Sequence, residues 1–224
     1  MSDLIYCAAG NKRFMDLAIE AGFRAGARLP GTIYHELFFA DQDYRRPNRE
    51  KYIAALASAR PQIATVIDIE KEEQITEAIQ WAEEAAAHVT EAVILIPKVC
   101  GIIDRIPHTI NSRTIRLGYS VPTRYGGTPV PVWEFGRRPV HLLGGSPDAQ
   151  LYLRRYLNVH SADGNYLSRL AAIGKFWHGG RITTGRESQW GYLAEVGLGG
   201  IEDGIYEAFG RSVQFFKQAW DSRA

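Results

Sequence analysis

Short apolar runs rich in β-branched residues alternate with amphipathic helical stretches along most of this 224-residue chain, and that alternation limits the available folds more than any other feature. Successive strands joined through a helix lie parallel, so the chain should form a mostly parallel sheet covered by helices. The strand candidates are LIYCAAG, FRAGARLP, QIATVIDIE, EAVILIPKV, TIRLGYSVP, RPVHLLGG and NVHSADGN. NKRFMDLAIEAG carries Phe14, Leu17, Ala18 and Ala21 at helical spacing, with Asn11 as N-cap and Gly22 as its stop. REKYIAALASA, EEQITEAIQWAEEAAAHV and residues 146–157 are further helices, the last with Ser146 as N-cap and Pro147 in the first position. GTIYHELFFADQDYRRPN reads as a loop-rich excursion. Six or seven strands are secure, which predicts an α/β fold of the (β/α)8 TIM-like barrel type, compact and complete or short of one unit. An open doubly wound sheet is the alternative, but no G-x-G-x-x-G turn or Walker sequence supports its nucleotide-binding versions. No repeat or linker divides the chain, so residues 1–224 read as a single barrel domain.

A hydrophobic content of 46% is enough for a substantial core. There is no apolar run of about 18 residues, and the opening MSDLIYCAAGNKRF lacks the leader and cleavage text of a signal peptide, so a soluble cytoplasmic protein is expected. Cys7 and Cys100 lie in strand-like text and read as small buried hydrophobes, with no disulfide and no structural metal. Net charge is only +1, yet twelve basic and three acidic residues fall between Arg105 and Arg186. Those cations form either an electropositive face for phosphates or a scatter over the surface.

In a barrel, the residues at the C-terminal ends of the strands converge on one mouth. Asp41, Asp68, Lys98, Ser120 and Asp163 fall at or near such ends. Each also has a plainer reading. Asp163 before Gly164-Asn165 suits a turn or a helix cap, Asp68 a cap, Asp41 and Asp43 a polar loop, and Lys98 a solvated loop. His141 and His160 read as satisfied core histidines, since no metal-ligand spacing surrounds them. Tyr119, Tyr125, Trp133 and Phe135 accompany Arg124, Arg137 and Arg138, an arrangement that either stacks a base or pins a long loop.

The segment RPVHLLGGSPDAQLYLRRYLNVHSADGN resembles the tRNA-guanine transglycosylase (queuine tRNA-ribosyltransferase) superfamily, most closely its short phage-type and DNA-modifying members. In that family an apolar strand, a Gly-Ser/Thr-Pro turn and a helix lead to the strand bearing the catalytic aspartate. The turn here is Gly144-Gly145-Ser146-Pro147 and the matching acid is Asp163. IRLGYSVP resembles the strand bordering the base pocket, which assigns Gly118, Tyr119 and Ser120 to it. FFADQDY resembles the region of the other catalytic acid, so Asp41 takes that role with Asp43 as the alternative, and TVIDIE offers Asp68 for base recognition. The family's D-S-G-G-F text around that acid and its cysteine-rich zinc subdomain are both missing.

The resemblance implies a pentosyltransferase that exchanges guanine in DNA or tRNA for a 7-deazaguanine such as preQ0, as in queuosine-type modification. Asp163 would hold the sugar covalently and Asp41 would move the proton. Asp68, Lys98, Gly118, Tyr119, Ser120, Gly144 and Gly145 would bind the base and its nucleotide. Arg124, Arg137, Arg138, Lys175 and Arg181 would bind the polymer. No cofactor or membrane is implied, and for a phage-encoded enzyme the place of action is the host cytoplasm. The tail IYEAFGRSVQFFKQAW is either the last barrel helix or a homodimer surface. Competing readings are a non-catalytic nucleic-acid-binding or partner subunit, a nucleoside hydrolase or deoxyribosyltransferase, and an unrelated barrel enzyme with a phosphorylated substrate.

Overall fold

A computed structural model describes residues 2–7, 11–123, 126–179, 181–182 and 201–222. Eight parallel strands pair in chain order: β1 (Asp3–Cys7), β2 (Arg24–Leu29), β3 (Phe39–Gln42), β4 (Ile63–Ile69), β5 (Ala92–Pro97), β6 (Arg113–Ser120), β7 (Val140–Leu143) and β8 (Val159–Gly164). The last of them pairs with β1, matching Ile5 to Asp163, so the ring closes and no edge is left. The strand missing from the sequence reading is β3. Its four residues, FADQ, lack the length and the β-branched content that mark the others.

Among the described residues six helices cover the ring: α1 (Lys12–Glu20), α2 (Arg49–Ala59), α3 (Ile75–Ala86), α4 (Pro147–Leu153), α5 (Tyr166–Ala171) and α6 (Ile201–Asp221). Asn11 caps α1 by accepting from the Arg13 and Phe14 amides, and Ser146 caps α4, which stops at Leu153, short of the expected 157. Among the described residues the β2–β3, β5–β6 and β6–β7 connections hold no α-helix, which helps to keep the barrel small. α6 is a barrel helix: Phe209 meets Phe14 at 4.6 Å and Tyr6 at 5.1 Å between ring centres. Trp220 is buried near its end and donates through Nε1 to the Ser2 carbonyl.

Strand alternation separates two cores. Leu4 and Tyr6 of β1 join the large cluster under the helices, while Ile5 joins Phe39, Ile63, Ile94 and Ile96 on the barrel axis. Two glycines make that inner core fit. A Cβ on Gly26 would lie 2.8 Å from Ile5 Cγ2, and one on Gly118 would lie 2.6 Å from Ile96 Cγ1. Above this apolar plug the inward positions turn polar.

Candidate active site

At the C-terminal ends of the strands opens a cavity of about 580 Å³, with Asp41, Asp68, Lys98, Ser120, Gly144 and Asp163 in its wall. Strand geometry brings them together. Asp41 is the third residue of β3, on the same side as buried Phe39, and Asp163 is near the end of β8, in phase with buried Ser161. Asp41 therefore stands on a strand rather than in a loop. Asp43 lies past the strand end and lines an adjoining cavity, its carboxylate accepting the Arg45 amide at 3.2 Å.

Asp41 is held from two sides. The Thr65 hydroxyl donates to Oδ1 at 3.2 Å and itself accepts the Gln42 amide at 2.9 Å, while Arg28 Nε stands 3.8 Å from Oδ2. Burial pushes the Asp41 carboxyl up to about 7 and the charge of Asp163 adds to the rise, against the opposing pull of Arg28 and Thr65. A carboxyl in that range is divided between acid and base near neutral pH, which suits it to giving and taking a proton.

Asp163 rests on a buried polar column. Its Oδ1 lies 3.3 Å from His141 Nε2, and His141 Nδ1 lies 2.8 Å from Ser161 Oγ. Ser161 Oγ accepts from Arg116 Nη1 at 3.0 Å, and the other end of that guanidinium pairs with Glu91. Because Arg116 only donates, the Ser161 hydrogen is available to Nδ1, and Nε2 then carries the hydrogen directed at Asp163. His141 is wholly buried and stacks on Phe39 at 4.9 Å; burial lowers its pKa despite the hydrogen bond and charge of Asp163. A neutral imidazole is thereby fixed beneath the carboxylate.

The turn after β7 closes the same wall. Gly144 and Gly145 have φ of 65° and 85°, and a Cβ on Gly145 would lie 2.4 Å from Val121 Cγ1, so the turn requires glycine there. Gln150 of α4 donates to the carbonyls of both Gly144 (2.6 Å) and Asp163 (2.8 Å), locking the turn to the end of β8. On the far side Lys98 Nζ lies 3.4 Å from Asp68 Oδ2 and 2.5 Å from Ser120 Oγ. Burial raises the Asp68 pKa, and the charge and hydrogen bond of Lys98 oppose the rise.

Other expected site residues lie elsewhere. Tyr119 points outward and packs edge-on against Phe135 at 5.1 Å, because it is out of phase with Ser120 on β6. Gly118 faces the axis but is covered by Ile96 and Leu143. Arg137 and Arg138 precede β7, at the opposite end of the barrel from the mouth. There Arg138 donates to the carbonyls of Ile106 and Pro107. Lys175 follows α5 in the helical layer. Arg124, Tyr125 and the Arg181 side chain lie outside the described residues. Of the aromatic group, Phe135 is buried and fastens the long loop, whereas Trp133 is exposed.

Several site residues had no distinguishing mark in the sequence. Arg28, Thr65, His141 and Arg116 sit in ordinary strand text, and only the pleat reveals which face the axis. Cys7 also faces inward at the end of β1; burial and then the charges of Asp41 and Asp163 keep its thiol protonated. Cys100 is exposed rather than buried, and so is His160. Among the described residues no group of three or more His, Cys, Asp or Glu side chains is placed to hold a metal ion, and no helix is long and apolar enough to cross a membrane.

The model of a family described as a family of unknown function (DUF6610) matches residues 18–221. No curated protein matches the chain.

Proposed function

The chain belongs to the DUF6610 family, and from the chemistry of its own mouth we propose that it is a base-exchange transglycosylase, replacing guanine in a nucleic acid by a 7-deazaguanine. The observation that carries this reading is the pairing of Asp163 and Asp41 in one cavity, the first seated on a neutral histidine and the second with its pKa raised to about 7.

Exchange without hydrolysis requires that the sugar be held while one base leaves and another enters. An Asp163 oxygen attacks C1′ as the C1′–N9 bond breaks, giving an aspartyl–sugar ester. Asp41 in its acid form delivers a proton to the departing guanine and becomes a carboxylate. The incoming base then gives its N9 proton to Asp41, attacks C1′ and releases Asp163, so each residue ends as it began. Asp68 in its ionised form, supported by Lys98, can accept the N1–H and N2–H donors of guanine, a pair that adenine lacks. The nucleotide reaches this site only if extruded from its stack.

Labelled guanine or preQ0 offered with single-stranded DNA, duplex DNA or bulk tRNA tests the reading. Label should enter one polymer, and Asp163→Ala should lower incorporation by at least ~10³-fold. Polymer that stays bound with no label incorporated would instead favour a non-catalytic subunit.

A further inference from the structure

Of the arginines that sequence density suggested for phosphate binding, Arg137 and Arg138 lie at the far end of the barrel and Arg169 lines the mouth, and a nucleotide extruded into the mouth brings its phosphates along. Beside the mouth, next to Asp41, lies a second cavity of about 340 Å³, whose charged lining is Arg28, Arg46 and Lys51 against Asp43 alone. That acid is engaged by the Arg45 amide. Among the described residues neither Arg46 nor Lys51 makes an ion pair, and both are exposed. Gln42 lines both cavities, so they adjoin at that residue. Tyr44, 57% exposed, stands in the wall of the mouth, with the Arg45 guanidinium 5.5 Å from its ring centre and Arg45 Nε donating to its hydroxyl at 3.0 Å. Three cations along a groove beside an exposed aromatic ring are what a single strand needs: charge for the backbone and a face for a base.

We infer that Arg28, Arg46 and Lys51 bind the backbone phosphate flanking the extruded nucleotide of a single-stranded nucleic acid, with Tyr44 stacking on a neighbouring base. This rests on the base-exchange reading for the nucleotide in the mouth, and it moves the polymer from the Arg137 end of the barrel to the β2–β3 side. Arg28, 3.8 Å from Asp41, would link the two sites: it meets the phosphate while holding the proton-transferring acid.

The test is fluorescence anisotropy with labelled single-stranded DNA and RNA oligonucleotides, using the full chain, between about 50 and 200 mM salt. Arg46→Gln and Lys51→Gln change exposed side chains and leave the Asn48 cap of α2 in place. Each should lower the slope of log affinity against log salt by roughly 0.7, and Arg46→Lys should restore it. Tyr44→Ala should weaken binding with little change of slope, and Arg137→Gln should change neither. The DNA and RNA arms identify the polymer, and competition by inorganic phosphate or GMP reveals whether a free phosphate takes the site instead. Unchanged slopes in Arg46→Gln and Lys51→Gln, a matching loss in Arg137→Gln, or equal displacement by GMP and by oligonucleotide would overturn the inference. Variant-sensitive oligonucleotide binding without base incorporation keeps the phosphate site and removes the exchange chemistry. Incorporation that both variants leave intact does the reverse.

Discussion

Asp41 links its own titration to the stability of the barrel. An unfolded aspartate ionises near 3.9, whereas this one holds its proton to about 7 in the fold. Between those values the folded state keeps a proton the unfolded chain has released, so stability falls as pH rises through the window and the full cost is present above 7. Three units would correspond to roughly 4 kcal/mol, but the side chain is still 23% exposed, and screening reduces the expected effect to about 1–3 kcal/mol. Asp41→Asn should match wild type near pH 4 and gain on it steadily up to pH 8, as read from urea midpoints. A difference that stays constant with pH would mean that Asp41 is an ordinary surface acid. In the exchange assay the same group predicts a fall in kcat/KM above pH 7 and a loss of about 10²-fold in the variant. At this scale the sequence was only partly legible. Asp68 and Lys98 are legible because each follows an apolar run near a strand end, whereas Asp163 is singled out by the resemblance of the segment that carries it. Arg28, Thr65, Arg116 and His141 are not legible, since inward and outward positions of a doubly covered strand look alike until the ring closes.

β3 shows how much of an element can depend on its neighbours. Its ladder to β4 registers only Phe39 with Ile63 and Ala40 with Ala64, after which the strands part. The gap is bridged from α2: the buried Tyr52 hydroxyl reaches the carbonyls of Thr65 at 2.8 Å and Ala40 at 3.2 Å. These carbonyls belong to Thr65, which orients Asp41, and to the residue preceding Asp41. Tyr52→Phe should therefore destabilise the fold by about 1–2 kcal/mol. It should also lower exchange more than that loss explains, because Asp41 is left less well aligned; chemical denaturation and kcat/KM, measured together at a temperature where the variant is fully folded, separate the two effects. The long, strongly patterned elements were readable from the sequence, and so were the Asn11 and Ser146 caps. A four-residue strand supported by a tyrosine from a helix later in the chain carries no local pattern to read.

On the scale of the whole barrel, the column Glu91–Arg116–Ser161–His141–Asp163 connects the N-terminal rim to the mouth through an interior that is largely apolar. Polar groups inside such a core are tolerated only when every member has a partner, so the column should act as a unit. Its titratable link is His141, whose pKa burial lowers below the usual 6.5. Below that pH the unfolded chain takes up a proton that the folded chain refuses, so this residue contributes stability that is lost as pH falls, opposite in sign to Asp41. His141→Phe keeps a ring against Phe39 but removes both nitrogens. At pH 7 it should cost about 1–3 kcal/mol, because Ser161 and Asp163 each lose a partner. Its stability should then fall less than that of wild type between pH 7 and pH 5, by up to about 2 kcal/mol. Asp41 contributes to both proteins and cancels in the comparison, so equal pH slopes for variant and wild type would show that the column does not hold a neutral histidine. If the slopes do differ, a fall in kcat at unchanged KM would place the remaining effect on Asp163, whose oxygen would have lost the N–H that fixes its direction toward C1′.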